Sequence, residues 1–301
     1  MEGIIEFDRR FSTLLKPDAS LVRLATGAIW SEGPVYFHED DSVVWSDIPN
    51  NRLLRWSVED GMTVWRQPSN FENGHYRDFE GRLLSCEHGG RCLSRTEPDG
   101  RKVILVDRYQ GKRLNSPNDL VVKSDGTIWF TDPPYGILSD DEGYKAESEL
   151  GACYVFRFEP GTGDLTIVTD EMIYPNGLAF SPDETVLYVA DTSSALDPKD
   201  SRHFMAFDVV DGRRLQNGRG FAVIEPGLAD GFRVDVHGNI FISSADSVQV
   251  YASDGVRLGK ILVPEKVGNL TFGGPDRDRL YITASSSLYA MDLNTQGVQR
   301  P

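Results

Sequence analysis

Trp30-Ser31-Glu32-Gly33-Pro34 sets an oxygen-bearing side chain at the head of an apolar strand, Val35-Tyr36-Phe37. The pattern returns along the chain. Asn73 stands in Glu72-Asn73-Gly74, Asn118 in Pro117-Asn118-Asp119, and Asn176 in Pro175-Asn176-Gly177. Asp230 stands in Ala229-Asp230-Gly231 and Asn269 in Gly268-Asn269-Leu270. Eight residues beyond three of these anchors lies a turn glycine: Gly81, Gly126 and Gly238. The same offset from the other three gives Asp40, Glu184 and Arg277, each in a polar turn. A strand rich in β-branched and aromatic residues follows every turn. Such self-similarity marks a supersecondary unit copied around a shared core.

Within a unit, alternating runs separated by turn residues predict four antiparallel strands. In the first unit these are Val35–Phe37, Val43–Asp47, Arg52–Trp56 and Met62–Trp65. In the fourth they are Leu178–Phe180, Val186–Asp191, Phe204–Phe207 and Gly220–Ile224. The sixth unit stops after its third strand, Leu288–Met291, while an unassigned strand, Leu21–Leu24, precedes the first anchor. A strand borrowed from the N-terminus would close the ring and cover an edge that otherwise invites aggregation. The expectation is an all-β fold: a six-bladed β-propeller of four-stranded blades forming one domain over residues 1–301. The strand at about residues 20–25 would complete the last blade. A β-sandwich is the alternative, but it does not account for the eight-residue register.

Anchor spacings are 41, 45, 58, 54 and 39 residues. The two long ones mark insertions, Pro133 to Leu150 and Thr192 to Arg202, both between second and third strands. Consecutive strands run antiparallel, so both insertions would overhang the face where the anchors sit. Long loops in compact domains are often binding loops or lids, and tolerated surface insertions are the other reading.

Composition narrows the function. The chain has 301 residues and a net charge of −15, which argues against nucleic acid, whose phosphates call for Lys and Arg. No stretch approaches the roughly 20 apolar residues of a membrane span. The first residues are acidic where a secretory signal is basic, and an apolar h-region is missing. Three cysteines, Cys86, Cys92 and Cys153, do not make a disulfide framework, so a cytoplasmic setting is expected. Cys86 and Cys92 could face each other across a hairpin, but two ordinary thiols is the simpler reading.

In a propeller the first strand of each blade lines the central channel. Glu32, Asn73, Asn118, Asn176, Asp230 and Asn269 would then converge on one mouth: two carboxylates and four carboxamides, without a Lys or Arg. Two carboxylates near an axis repel unless protonated or neutralised. A divalent cation neutralises them, and an all-oxygen donor set suits Ca²⁺, which takes six to eight ligands at about 2.3–2.6 Å. Zn²⁺, Mn²⁺ or Mg²⁺ are alternatives, although the ring lacks the imidazole and thiolate that zinc favours. A single Asn-Gly pair is an ordinary turn; six anchors in one register are not.

These stretches, with Asn115-Ser116-Pro117-Asn118-Asp119, Tyr174-Pro175-Asn176-Gly177-Leu178 and Leu228-Ala229-Asp230-Gly231, resemble the senescence marker protein/regucalcin/gluconolactonase family. Cys86-Glu87-His88-Gly89 and Trp129-Phe130-Thr131-Asp132-Pro133 are similar to its bacterial gluconolactonase branch. The resemblance implies metal ligands at Glu32, Asn176 and Asp230, with Asn118 touching metal or substrate and Asp230 as general base. It implies metal-dependent hydrolysis of a sugar lactone by a monomer or small homo-oligomer that binds neither membrane nor nucleic acid. Where the animal enzyme holds its sugar with an arginine, two residues before Asn118, this chain has Ser116. Other groups must then orient the substrate; His88, Asp132 and Tyr135 are candidates, and His75 a weaker one. A phosphotriester (organophosphate) hydrolase and a non-catalytic calcium-binding propeller are the competing functions. Nothing suggests a covalent route, since no Gly-x-Ser-x-Gly elbow is present.

Overall fold

The computed structural model describes residues 3–193 and 204–298. They form six four-stranded antiparallel blades of a β-propeller. Blade 1 comprises Ser31–Phe37, Ser42–Asp47, Arg52–Ser57 and Gly61–Arg66. Blade 2 comprises Glu72–Arg77, Leu83–Glu87, Cys92–Thr96 and Lys102–Val106. Blades 3, 4 and 5 begin with inner strands Leu120–Val122, Pro175–Phe180 and Phe232–Val234. Blade 6 runs inside to outside as Val267–Gly273, Arg279–Ala284, Ser287–Asp292 and then Val22–Thr26. The ring is therefore closed from the N-terminus, with Val22 opposite Ala290.

The eight-residue register has a backbone cause. At that offset the chain turns with positive φ at Gly81, Gly126, Gly238, Glu184 and Arg277, and in blade 1 one residue later, at Asp41. Apolar side chains pack between neighbouring blades. Trp129, Phe130 and Phe156 of blade 3 share a core with Leu84 of blade 2 and Phe180 of blade 4, whereas Phe241 of blade 5 joins Phe272 of blade 6. Burial at roughly 25 cal/mol per Å² of apolar surface is the main force holding blade to blade.

Two departures from the sequence reading have clear reasons. The outer strand of blade 4 is Arg214–Gly220, not Gly220–Ile224. Its residues are polar and mostly exposed, so an apolar criterion passes over them. Phe221, Ala222 and Ile224 instead pack as loop residues on the Tyr188 and Phe204 cluster. The second is a fifth strand on blade 5: Ile4–Glu6 pairs with Arg257–Leu262. The short helix Arg10–Thr13 then buries Phe11 completely over Gly259, where a Cβ would lie 2.1 Å from the Phe11 ring. Cys86 and Cys92 do not face each other. Cys86 pairs with Leu93 and Cys92 with Glu87, so the two thiols point to opposite faces of the sheet, and burial pushes the pKa of both upward.

The first insertion lies between Ile128–Asp132 and Tyr154–Glu159 and contains the short helix Tyr135–Leu138. It folds back on itself through Tyr144 N–H to Gly136 O (3.0 Å) and Ala146 N–H to Ile137 O (3.1 Å). Of the second insertion, Thr192 and Ser193 are buried; residues 194–202 lie outside the described residues. Among the described residues no helix is long and apolar enough to cross a membrane.

Candidate functional site

Four inner strands break register at their anchors. The ladder shifts between Glu32 and Val35, Glu72 and His75, Pro175 and Leu178, and Val267 and Asn269. A bulge bends a strand and re-aims its side chains, and here the anchors sit within these shifted stretches at the mouth of the channel. The glycine after an anchor has its own reason. A Cβ on Gly33 would lie 2.0 Å from Asn73 O, and one on Gly177 2.3 Å from Asp230 O. Neighbouring inner strands touch at these points: Gly74 N–H donates to Asn118 O (2.8 Å) and Gly231 N–H to Gly268 O (2.8 Å).

A second repeated device holds the loops that lead into the anchors. The aspartate ending the second strand accepts the N–H three residues before the anchor. Asp47 takes Ile29 (2.9 Å), Asp132 takes Asn115 (2.8 Å) and Asp191 takes Ile173 (2.8 Å).

Five anchors, Glu32, Asn73, Asn118, Asn176 and Asp230, line one cavity of about 340 Å³. Asn269 lies beneath it and donates to Glu32 Oε2 (3.1 Å) and toward Asp119 Oδ2 (3.4 Å). Tyr135 reaches the lining from the first insertion, and its hydroxyl meets Thr192 Oγ1. Asp132 and His88 do not line the cavity. Asp132 is fully buried, holding the Asn115 loop as its counterparts Asp47 and Asp191 hold theirs; burial pushes its pKa up to about 7. His88 stands behind Asn73 with both ring nitrogens engaged, and burial holds its pKa down to about 4. His75 is farther inside, between Ser46 and Ser85.

The remaining lining residues escaped the sequence reading. Trp30 and Leu228 occupy the position two before an anchor, and Ile48 and Thr192 the position one after the second strand. The repeat register carries a signal for those four. Lys266 also holds a register position, three before its anchor Asn269, whereas Glu142 comes from the first insertion and no sequence signal marks it.

The electrostatics are those of a site short of positive charge. Burial first, then repulsion by Asp230, raises Glu32 well above the usual carboxylate range. Burial, with Asp119 and Glu142 nearby, raises Asp230 to about 7; Lys266 and a hydrogen bond from Asn176 oppose the rise. Among the described residues lining the cavity, two buried side-chain oxygens are left without partners, Glu32 Oε1 and Asn73 Oδ1. Leaving such an acceptor unmade is costly. Among the described residues no three His, Cys, Asp or Glu side chains gather into a metal-holding group, because carboxamides fill the places between the two carboxylates. The unpartnered oxygens and the all-oxygen donor set fit a hard divalent cation.

A six-bladed propeller with carboxylates and carboxamides at its channel mouth is the class of protein that fold and site define. Residues 30–286 match the model of the SMP-30/Gluconolactonase/LRE-like region, and the chain belongs to that family. It is 31% identical over 313 aligned residues to a gluconolactonase of Zymomonas mobilis, covering 98% of this chain and 87% of that protein. A solved gluconolactonase structure from Xanthomonas campestris superposes with a TM-score of 0.91 at 40% identity, covering 97% of this chain and 95% of the other. The calcium-binding protein regucalcin from Agrobacterium tumefaciens shares the fold, with a TM-score of 0.73 at 20% identity over 92% and 94% of the two chains.

Proposed function

We propose that the protein is a metal-dependent hydrolase that opens a sugar lactone. The observation that carries this reading is the pair of unpartnered buried oxygens, Glu32 Oε1 and Asn73 Oδ1, in a cavity lined by carboxylates and amides. The gluconolactonase relatives support the lactone as substrate. Glu32, Asn176 and Asp230 would hold a divalent cation, calcium first, with Asn118 as fourth ligand or neighbour. A bound divalent cation supplies Lewis-acid polarisation of the lactone carbonyl and charge for the developing oxyanion.

The chain's own residues do the rest. Asp230 accepts the proton of the attacking water as general base. Asn176 donates to the Asp230 carboxylate and orients it. Lys266 draws Asp230 toward its ionised form and offsets Glu142. Trp30, Ile48 and Leu228 give the cavity an apolar flank for the lactone ring, and Tyr135 and Asn118 offer polar contacts to it.

The test is ring opening of glucono-δ-lactone, followed by proton release, with calcium and with a chelator. Activity that needs the cation supports the reading. Cation binding without turnover on a panel of sugar lactones would leave a calcium-binding propeller, and preference for a phosphotriester would move the substrate to phosphorus.

A further inference from the structure

The side-chain amide of Asn73 could face the cavity with its oxygen or with its nitrogen, and the surrounding contacts decide between them. Asn73 Nδ2 lies 3.2 Å from His88 Nε2. His88 Nδ1 lies 3.0 Å from the backbone oxygen of Glu142. A carbonyl oxygen only accepts, so Nδ1 carries the ring hydrogen. In the neutral ring Nε2 is then a bare acceptor and needs a donor. Turning the amide over would set its oxygen against the Nε2 lone pair. The amide nitrogen therefore faces His88 and the oxygen faces away, where it has no protein partner although the residue is buried. The backbone is fixed as well: Ser46 Oγ donates to Asn73 O (2.9 Å), and Gly74 N–H donates to Asn118 O (2.8 Å).

We propose that Asn73 Oδ1 is a further oxygen ligand of the cation site, and that His88 is the positioning residue that aims it. This rests on the cation reading of the cavity given above. Glu142 enters twice. Its carbonyl fixes the His88 tautomer, and its side chain stands in the cavity lining. The seating of the first insertion is thus tied to the direction of a ligand on blade 2. Partners behind a ligand commonly set its orientation and tune affinity about 10–100-fold.

The test counts water on a luminescent lanthanide. Europium(III) replaces calcium in the cation-free protein, and its emission lifetimes in H₂O and D₂O give the number of bound waters. Asn73→Leu is expected to add one water and weaken europium and calcium binding about tenfold. Asn73→Asp keeps an oxygen and is expected to keep the wild-type water count. His88→Leu frees the amide to turn and is expected to weaken binding. His88→Gln offers an acceptor to Asn73 and a donor to Glu142, and is expected to restore it. Melting of the cation-free variants identifies any that fail to fold, and the Asn73→Asp and His88 comparisons stand if Asn73→Leu does. An unchanged water count and affinity in Asn73→Leu, with wild-type binding intact, overturns the role of Asn73 alone. A wild-type protein that takes up neither ion overturns the cation reading with it.

Discussion

The floor and the wall of the cavity are built differently. The floor is five side chains at or just before the start of inner strands, which the repeat brings to one level. Its geometry is over-determined by bulges, by glycines that let adjacent strands touch, and by aspartates bracketing the incoming loops. The wall is Glu142 and Lys266, each on its own loop, with the exposed Lys266 ammonium 5.0 Å from the centre of the Trp30 ring. A floor held by many redundant contacts suits chemistry that needs fixed positions. A wall held by few suits the choice of what enters.

The contrast breaks most readily at Asp230. Asp230→Asn keeps an oxygen ligand but cannot take a proton, and turnover at saturating cation should fall about 10²-fold or more. Near-normal turnover with the site verified as occupied would move the base elsewhere. Glu32→Gln tests the floor's charge. It removes one of two ligand carboxylates, and calcium affinity measured by calorimetry should fall at least about tenfold, the low end for a lost charged contact.

The wall should answer with smaller numbers. For Lys266→Met and Glu142→Gln the expected change is a rise in KM of about two- to fivefold, the scale of an exposed ion contact. Cation affinity should stay near wild type, and kcat near pH 7 should move only a fewfold, down for Lys266→Met and up for Glu142→Gln, as the charge that sets Asp230 ionisation changes. A loss in kcat that matches Asp230→Asn would place either residue in the chemistry and erase the distinction.

The last test lies below the floor and touches stability rather than activity. Burial lowers the His75 pKa to about 3, against an ordinary value of 6.5. The unfolded chain is then protonated first as pH falls. His75 contributes stability that is fully present above about pH 6.5 and is lost toward pH 3, by up to about 1.4 kcal/mol per pH unit. The difference in melting temperature between wild type and His75→Gln should therefore shift against the wild type from pH 7 to pH 5. A constant difference would mean that His75 is not buried as a neutral ring.

This division also explains how much could be read from the sequence. Glu32, Asn73, Asn118, Asn176 and Asp230 were legible because a fold that repeats must repeat its strand starts. Trp30, Leu228, Ile48 and Thr192 were within reach, since each holds a constant offset from an anchor or strand end. Asp132 and His88 were misplaced at the mouth for physical reasons. Asp132 sits one residue short of the lining position held by Ile48 and Thr192 and so brackets a loop, whereas His88 holds that position but turns its ring to Asn73 and Glu142 O and backs the anchor. Lys266 was within reach by the same kind of offset, three before Asn269, but Glu142 was illegible because a loop's path is fixed by packing, here by Gly143 against Gly136, where a Cβ would lie 2.1 Å from Gly136 O. Strand Arg214–Gly220 was missed because an exposed outer strand need not be apolar.

The closing strand sets an order of events. Val22–Thr26 leaves the ribosome well before its partner strand, Ser287–Asp292, has been made. Ile4–Glu6 likewise waits for Arg257–Leu262. Both pairings, the ring-sealing one and the added strand of blade 5, span most of the chain, and contacts so distant in sequence slow folding because the connecting loop must be closed first. Until then the nascent chain carries two unmatched strand edges, and whatever shields nascent β-edges in the cell must attend this protein until Ser287–Asp292 has emerged.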